Sequence, residues 1–387
     1  MKPEKFLPYA KQSIDQSDIE AVTKALQQEL ITRNGQVAQF EKEFAAYCGT
    51  KWAVMMSSGT AALYGAFQAA RVSAFDRFIT TPNTFIATAA AGTRLGARPV
   101  FVDIDRESGN MSLDSLKEVL SQPISRGRFV IAPVHFAGIA VDMQKMDAQL
   151  KSPDVVVIED AAHAIGSLYP DGSKVGSCLW SQMTIFSFHP AKTMTTGEGG
   201  CVTTNDDELY RRLLLFRNSG MEKEAPYIEG TAAPWYYEVH EVSGVYHATE
   251  MQAALGLSQL KRLDSFVQKR RQLVKWYRER FAGSSNIRLF NEAFDERSAY
   301  HLMVVQIDGL SRTGIMDQLR EKGIGSQCHY IPLYHQPVIK KMVGNVAQQF
   351  PEMEGYYRDA LSLPLFFEME EQDVEYVCTV LKEIVKG

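Results

Sequence analysis

Met183-Thr184-Ile185-Phe186-Ser187-Phe188-His189-Pro190-Ala191-Lys192-Thr193 runs on into the glycine-rich Thr196-Gly197-Glu198-Gly199-Gly200. The first half of this stretch is short, apolar and rich in β-formers, so Met183 to Phe188 reads as a buried strand. Pro190 forbids further ladder pairing and puts Lys192 on a loop at the strand's C-terminal end. Open α/β sheets keep their ligands at that edge. A lysine held there out of bulk water can lose its proton and attack an aldehyde, which makes Lys192 a candidate Schiff-base lysine; the plain alternative is a solvated surface charge.

Working outward, Val155-Val156-Val157-Ile158-Glu159-Asp160 reads as a strand buried on both faces and ending in two carboxylates. Asp160 falls at the strand's C-terminal edge with His163 three residues on. A carboxylate there can pair with a protonated ring nitrogen and hold its proton in place. A helix N-cap aspartate beside a satisfied histidine fits the same residues. Trp52 to Met56 is a further strand, and Ser57-Ser58-Gly59-Thr60 turns it into a helix from Ala61 to Arg71. Free N–H groups at that helix start suit an anion such as a phosphate, or mark an ordinary serine cap. Strand and helix signals alternate through Phe78 to Thr81, Ile86 to Leu95, Val100 to Asp103 and Phe129 to Val134, the pattern of an α/β fold with a large, mainly parallel sheet. Phe85, just after Thr80-Thr81-Pro82-Asn83-Thr84, sits where an aromatic face could cover a flat ligand or simply join the core.

Elsewhere, Ser17-Asp18-Ile19-Glu20 has the form of a capping box before Ile19, Val22, Leu26 and Leu30 at helical spacing. Gln39 to Tyr47 reads as a helix stopped at Gly49, and after the lysine loop come Cys201 to Thr204 and a charged helix from Asp206 to about Phe216. Gly220 to Ser243 lacks periodicity and reads as a long functional loop. Thr249-Glu250-Met251-Gln252 opens a long helix with Leu260, Leu263, Val267, Val274, Tyr277 and Phe281 on one stripe. Beyond Ser284 a small α+β unit is expected: a strand at His301 to Ile307, a helix at Arg312 to Lys322 closed by Gly323, a strand at Ile324 to Tyr330, and a helix at Glu371 to Lys386. The division follows as a large domain over 1–248 and a bridging helix with a small domain over 249–387. His329 and Tyr330 supply polar groups for the cleft between them, or serve a structural role.

The 387 residues suffice for a large core and a smaller one. With 41 basic and 46 acidic side chains the net charge is −5, which gives no basis for a nucleic-acid or membrane-surface partner. Cys48, Cys178, Cys201, Cys328 and Cys378 are odd in number and widely spaced, against a disulfide framework or a metal knuckle and in keeping with a reducing cytoplasm. Met1 to Ser13 has no apolar stretch like a signal peptide.

Taken together, Ser57-Ser58-Gly59-Thr60-Ala61-Ala62-Leu63, Glu159-Asp160-Ala161-Ala162-His163, Ser187-Phe188-His189-Pro190-Ala191-Lys192 and Gln252-Ala253-Ala254-Leu255-Gly256 resemble the DegT/StrS-type sugar aminotransferases in order and spacing. The resemblance implies the fold-type I architecture and pyridoxal 5'-phosphate as cofactor. It implies that Lys192 carries the cofactor, that Asp160 pairs with the ring nitrogen, that Ser187 and the Gly59-Thr60 turn hold the phosphate, and that Phe85 and His163 flank the ring. His329-Tyr330-Ile331-Pro332-Leu333 and Thr195 to Gly200 look most like the pseudaminic-acid-pathway transaminases, which aminate C4 of a UDP-linked 4-keto-6-deoxy-acetamido sugar; the UDP-4-keto-pentose transaminases are nearly as similar. L-Glutamate as donor and a homodimer with shared active sites follow from the same likeness. Lys192 argues against the family's dehydratase branch, where a histidine stands in its place, and Lys192, Asp160 and Ser187 together argue against a non-catalytic nucleotide-sugar-binding homologue. Two departures stand out: Val245-Tyr246-His247 where the family has Asn-Tyr-Arg, and Arg217-Asn218-Ser219-Gly220 where close relatives have Arg-x-His-Gly.

Overall fold

A computed structural model describes residues 6–386 apart from 125, 151–153, 232, 291–294 and 310, so residues 1–5 of the opening stretch lie outside the described residues. Helices α1 (Gln16–Leu26) and α2 (Gln36–Cys48) lead into strand β1 (Trp52–Met56), helix α3 (Gly59–Ala69), β2 (Arg77–Thr80), α4 (Ile86–Thr93) and β3 (Pro99–Phe101). Next come α5 (Leu113–Leu120), β4 (Phe129–Ala132), α6 (Met143–Asp147), β5 (Val155–Asp160), β6 (Met183–Ser187), β7 (Gly200–Thr204) and α7 (Asp207–Arg217). These strands form one seven-stranded sheet in the order β1-β7-β6-β5-β4-β2-β3. Every pair is parallel except those made by β7, which runs against both β6 and β1.

That topology places the site. Gly200, the first residue of β7, is in register with Met56 at the end of β1 and with Ser187 at the end of β6. The C-terminal ends of β1, β5 and β6 therefore meet along one edge, with the loops after them. Side chains alternate between faces along each strand, and the cores divide accordingly. Met55, Val157 and Phe186 pack with α2 and the long helix described next, whereas Val54, Ile158 and Ile185 pack with α3. Each fully buried aliphatic contributes about 1.5–3 kcal/mol.

The chain then forms a short hairpin, β8 (Met221–Glu222) and β9 (Glu238–Val239), inside the stretch read as a loop. Helix α8 (Glu250–Phe281) follows for 32 residues, its start closed by a capping box between Thr249 and Gln252. Its Leu260, Leu263, Phe266 and Val267 belong to the large core, and its Leu273, Val274, Tyr277 and Phe281 to a second one. The second core covers a three-stranded antiparallel sheet of β10 (Ile287–Leu289), β11 (Met303–Ile307) and β12 (Ala360–Leu363), with α9 (Arg312–Glu321), α10 (Pro337–Val343), α11 (Pro351–Asp359) and α12 (Glu371–Lys386) around it. Leu7 joins this second core as well. Buried Arg270, midway along α8, donates to the carbonyls of Tyr300, His301 and Leu365 and ties the helix to the smaller unit. Four of the cysteines are buried and Cys328 is half-buried.

Two expectations are corrected. The first helix is capped by Asp15 rather than Ser17, in a box closed by Asp18, and it ends at Leu26. Ile19, Leu26 and Leu30 are exposed, because the helix seats on α8 through Ala25 and through Asp18, whose carboxylate accepts from Gln259 and Arg262. Ile324 to Tyr330 is not a strand: it touches its neighbours through single bridges, Ile324 to Leu7 and Gln327 to Ser362. Leu7 N–H donates to Gly323 O at 2.9 Å and Gly325 N–H to Leu7 O at 2.7 Å, a single parallel bridge that is not continued into a ladder.

Candidate active site

A cavity of about 390 Å³ opens on the strand-end edge and is lined by Ser58, Gly59, Thr60, Thr84, Phe85, Thr88, Asp160, His163, Ser187, His189, Lys192, Glu198 and Tyr330. A larger groove of about 970 Å³ lies elsewhere, between α2 and α7, and contains none of these residues. Six of its charged side chains pair with one another, in Lys51–Asp207, Arg211–Glu222 and Arg217–Glu41. We therefore place the chemistry in the smaller cavity.

Lys192 is half-buried, and loss of water around its amine pulls the pKa down to about 8, although the nearby Asp160 charge works in the opposite direction. At pH 7 about a tenth of the amine is thus uncharged and nucleophilic, against well under a hundredth for an ordinary lysine. Asp160, at the end of β5, is buried; Oδ2 accepts from Thr88 Oγ1 at 2.6 Å and Oδ1 from Ala162 N at 3.0 Å. Thr88 in turn is 2.8 Å from Thr84 Oγ1. Thr84, Thr88, His189 and Glu198 were not singled out from sequence. A threonine within the alanine-rich α4 gives no signal until the helix is set beside β5.

The α3 start is pressed into the strand ends. Ser58 caps the helix through Ala61 N, a Cβ on Gly59 would stand 2.7 Å from Ser187 Cβ, and one on Gly200 would stand 2.4 Å from the Ser58 carbonyl oxygen. Only glycine fits at either position. Their smallness lets the unpaired first N–H groups of α3 and the Ser187 hydroxyl share one concave corner, a receptor for an anion. The glycine-rich loop beneath is held by Gln252 of α8, which donates to Glu198 O at 2.7 Å, and by Thr196 Oγ1, which donates to the same oxygen.

His163 is neutral: burial lowers its pKa well below the usual value, and Lys192 and His329 push the same way. Ala137 N–H donates to Nδ1 at 3.4 Å, so Nε2 carries the proton and donates to Tyr330 Oη at 3.0 Å. Phe85 is 59% exposed with its ring 6.5 Å from that of Tyr330, so its face is free to cover a ligand. His329 does not line the cavity; its Nδ1 meets Ser362 Oγ at 2.8 Å, and its pKa is lowered to about 3, first by burial and then by Lys192.

The two departures from the family pattern touch each other. Asn218 Oδ1 accepts from Arg33 Nη2 at 2.9 Å and lies 3.0 Å from His247 Nε2, and Asn218 bridges to Val245 through the backbone. Val245 is exposed, and the Tyr246 ring stacks on Phe216 at 4.5 Å within the same chain.

Residues 12–382 match the model of the DegT/DnrJ/EryC1/StrS aminotransferase family. The spore coat polysaccharide biosynthesis protein SpsC of Bacillus subtilis is 36% identical, covering 99% of this chain and 98% of that one. A UDP-4-amino-4,6-dideoxy-N-acetyl-beta-L-altrosamine transaminase of Campylobacter jejuni is 34% identical over 99% of each. Among solved structures, Helicobacter pylori PseC, an aminotransferase involved in pseudaminic acid biosynthesis, superposes with a TM-score of 0.90 at 27% identity, over 99% of this chain and 100% of that one. The likeness also extends to a sugar aminotransferase solved in its pyridoxal-phosphate form. The cavity fits that cofactor: an activated lysine for its aldehyde, a buried carboxylate for its ring nitrogen and a glycine-lined helix start for its phosphate. The chain belongs to the DegT/DnrJ/EryC1/StrS family and is a pyridoxal-phosphate-dependent nucleotide-sugar aminotransferase.

Proposed function

We propose that the protein moves an amino group from L-glutamate to C4 of a nucleotide-linked 4-keto sugar, a UDP-4-keto-6-deoxy-acetamido-hexose in the first instance, in bacterial surface-glycan synthesis. The observation that carries this reading is the depressed pKa of Lys192, about 8, in one cavity with Asp160 and the α3 start. When bound, pyridoxal phosphate supplies the electron sink that makes the donor's α-hydrogen acidic. Lys192 Nζ would hold the cofactor's aldehyde carbon, and as a free amine it would move the proton of the donor's α-carbon, a task suited to a pKa near the working pH. Asp160 would keep the ring nitrogen protonated, Ser187 with Gly59 and Thr60 would bind the phosphate, and Phe85 and His163 would flank the ring. Tyr330 offers its hydroxyl to the sugar, with His329 behind it. The names of the similar transaminases support a UDP-linked acetamido sugar.

The test is turnover of a panel of 4-keto nucleotide sugars with glutamate, followed by 2-oxoglutarate release. Activity on the UDP-4-keto-6-deoxy-acetamido member is expected to lead, and amination of only non-nucleotide ketones would overturn the reading. We further infer a homodimer in which the stretch Val245 to His247 lies beside the partner's phosphate corner. Sedimentation as a monomer, with cofactor affinity unchanged in Tyr246→Phe and His247→Ala, would refute it.

A further inference from the structure

We propose that Thr88, backed by Thr84, is a positioning residue that acts through the Asp160 carboxylate to keep the proton of the bound ring nitrogen on the ring. The inference rests on the reading that Asp160 faces that nitrogen. Both threonines are buried, and both line the cavity. An ionised carboxylate only accepts, so the Thr88 hydrogen is committed to Asp160 Oδ2 at 2.6 Å, and the 2.8 Å contact behind it is Thr84 donating to Thr88. The hydrogens therefore all point one way, toward the acid.

Thr88 does not behave as a helix threonine ordinarily would. Thr93, on the same helix, bonds back to its own turn at Ala89 O, 2.9 Å away, the usual local use of a hydroxyl inside a helix. Thr88 instead reaches across to another element, and its neighbours Ala87 and Ala89 leave it as the polar group on that part of α4. With Ala162 N–H on Oδ1, Asp160 carries a donor on each oxygen and keeps acceptor capacity for one more partner. Donors to a carboxylate favour its charged form, and that form is the counter-charge that a proton on the ring nitrogen needs. The two donors also fix the plane of the group.

The experiment uses holoenzyme loaded with pyridoxal phosphate labelled with ¹⁵N in the ring, and reads the ring nitrogen's chemical shift, which differs widely between protonated and unprotonated pyridine. Asp160→Asn sets the scale: it is expected to move the resonance toward the unprotonated position, and no movement would sink both the Asp160 reading and this one. Thr88→Val is expected to move it part of the way, with kcat down about tenfold and donor KM little changed, since a lost hydrogen bond to a charged group is worth about 10-fold or more. Thr88→Ser is expected to restore both. Thr84→Val is expected to give a smaller shift in the same direction, and it carries the test if Thr88→Val does not fold. A wild-type shift in Thr88→Val, or in Thr84→Val should that variant carry the test, while Asp160→Asn moves it, would overturn the role of the threonines alone.

Discussion

Glu159 and Asp160 are adjacent on β5 and point to opposite faces of the sheet. Glu159 is saturated: Oε2 accepts from His135 Nε2 at 2.8 Å and Tyr169 Oη at 2.6 Å, and Oε1 from Thr184 Oγ1 at 2.9 Å and Ser181 Oγ. Val141 N–H donates to His135 Nδ1 at 3.0 Å, which turns Nε2 toward Glu159 as the donor. Burial opposes ionisation of Glu159, but the donors from His135, Ser181 and Tyr169 outweigh it and leave its pKa lowered. Among the described residues the Asp160 carboxylate accepts from Thr88 and Ala162 alone, and it faces a cavity that contains Lys192. A buried carboxylate whose lone pairs are all answered by the fold is structure, whereas one left with capacity toward an opening is available for chemistry.

The comparison can be broken in order of expected effect. Lys192→Ala is expected to fold, because the loop position carries little packing, and to lose steady-state transamination altogether; appreciable turnover would remove the lysine from its role. Asp160→Asn is expected to keep cofactor and shape with a fall in rate of about 10²- to 10⁴-fold, while Glu159→Gln loses about 3 kcal/mol of stability or more and keeps the rate of whatever protein folds. Chemical denaturation and kcat measured on both variants separate them, and a swap of the two phenotypes would invert the assignment of the faces. The smallest effect is one of pH. Because the pKa of Lys192 is lowered to about 8, capture of added cofactor by cofactor-free protein should rise with pH and level off above about 8. The ordinary lysine value would instead delay the plateau until beyond pH 10. Between those two values the unfolded chain binds the proton that the folded one has lost, so the same group adds stability as pH rises.

Much of this was legible in the sequence, because β strands buried on both faces and glycine-lined turns leave strong local signals. Trp52–Met56 and Glu371–Lys386 have the bounds that their patterns predict, and Asp160, Ser187 and Lys192 fall at strand ends that the topology brings together. What sequence periodicity missed depends on a distant partner. The apolar residues of α1 face outward because a polar contact, Asp18 with Gln259 and Arg262, seats the helix instead. The direction of β7 decides where Gly200 meets Ser187, and a pattern of alternating residues is the same for either direction. Thr88 is read as one more small helix residue until Asp160 is found 72 positions away.

The buried cysteines have a consequence for chemoselectivity. An enzyme that works with an aldehyde must present one nucleophile to it and withhold the others, and a thiolate competes with an amine for the same carbon. Burial raises the pKa of every thiol in the chain, with Cys178 at about 11 and Cys378 at about 12, and raises even that of Cys328, beside His329. The same loss of water acts with opposite sign on acids and bases: it keeps the sulfurs protonated while it eases the proton off the amine of Lys192, so that burial favours nitrogen over sulfur as the nucleophile of this chain.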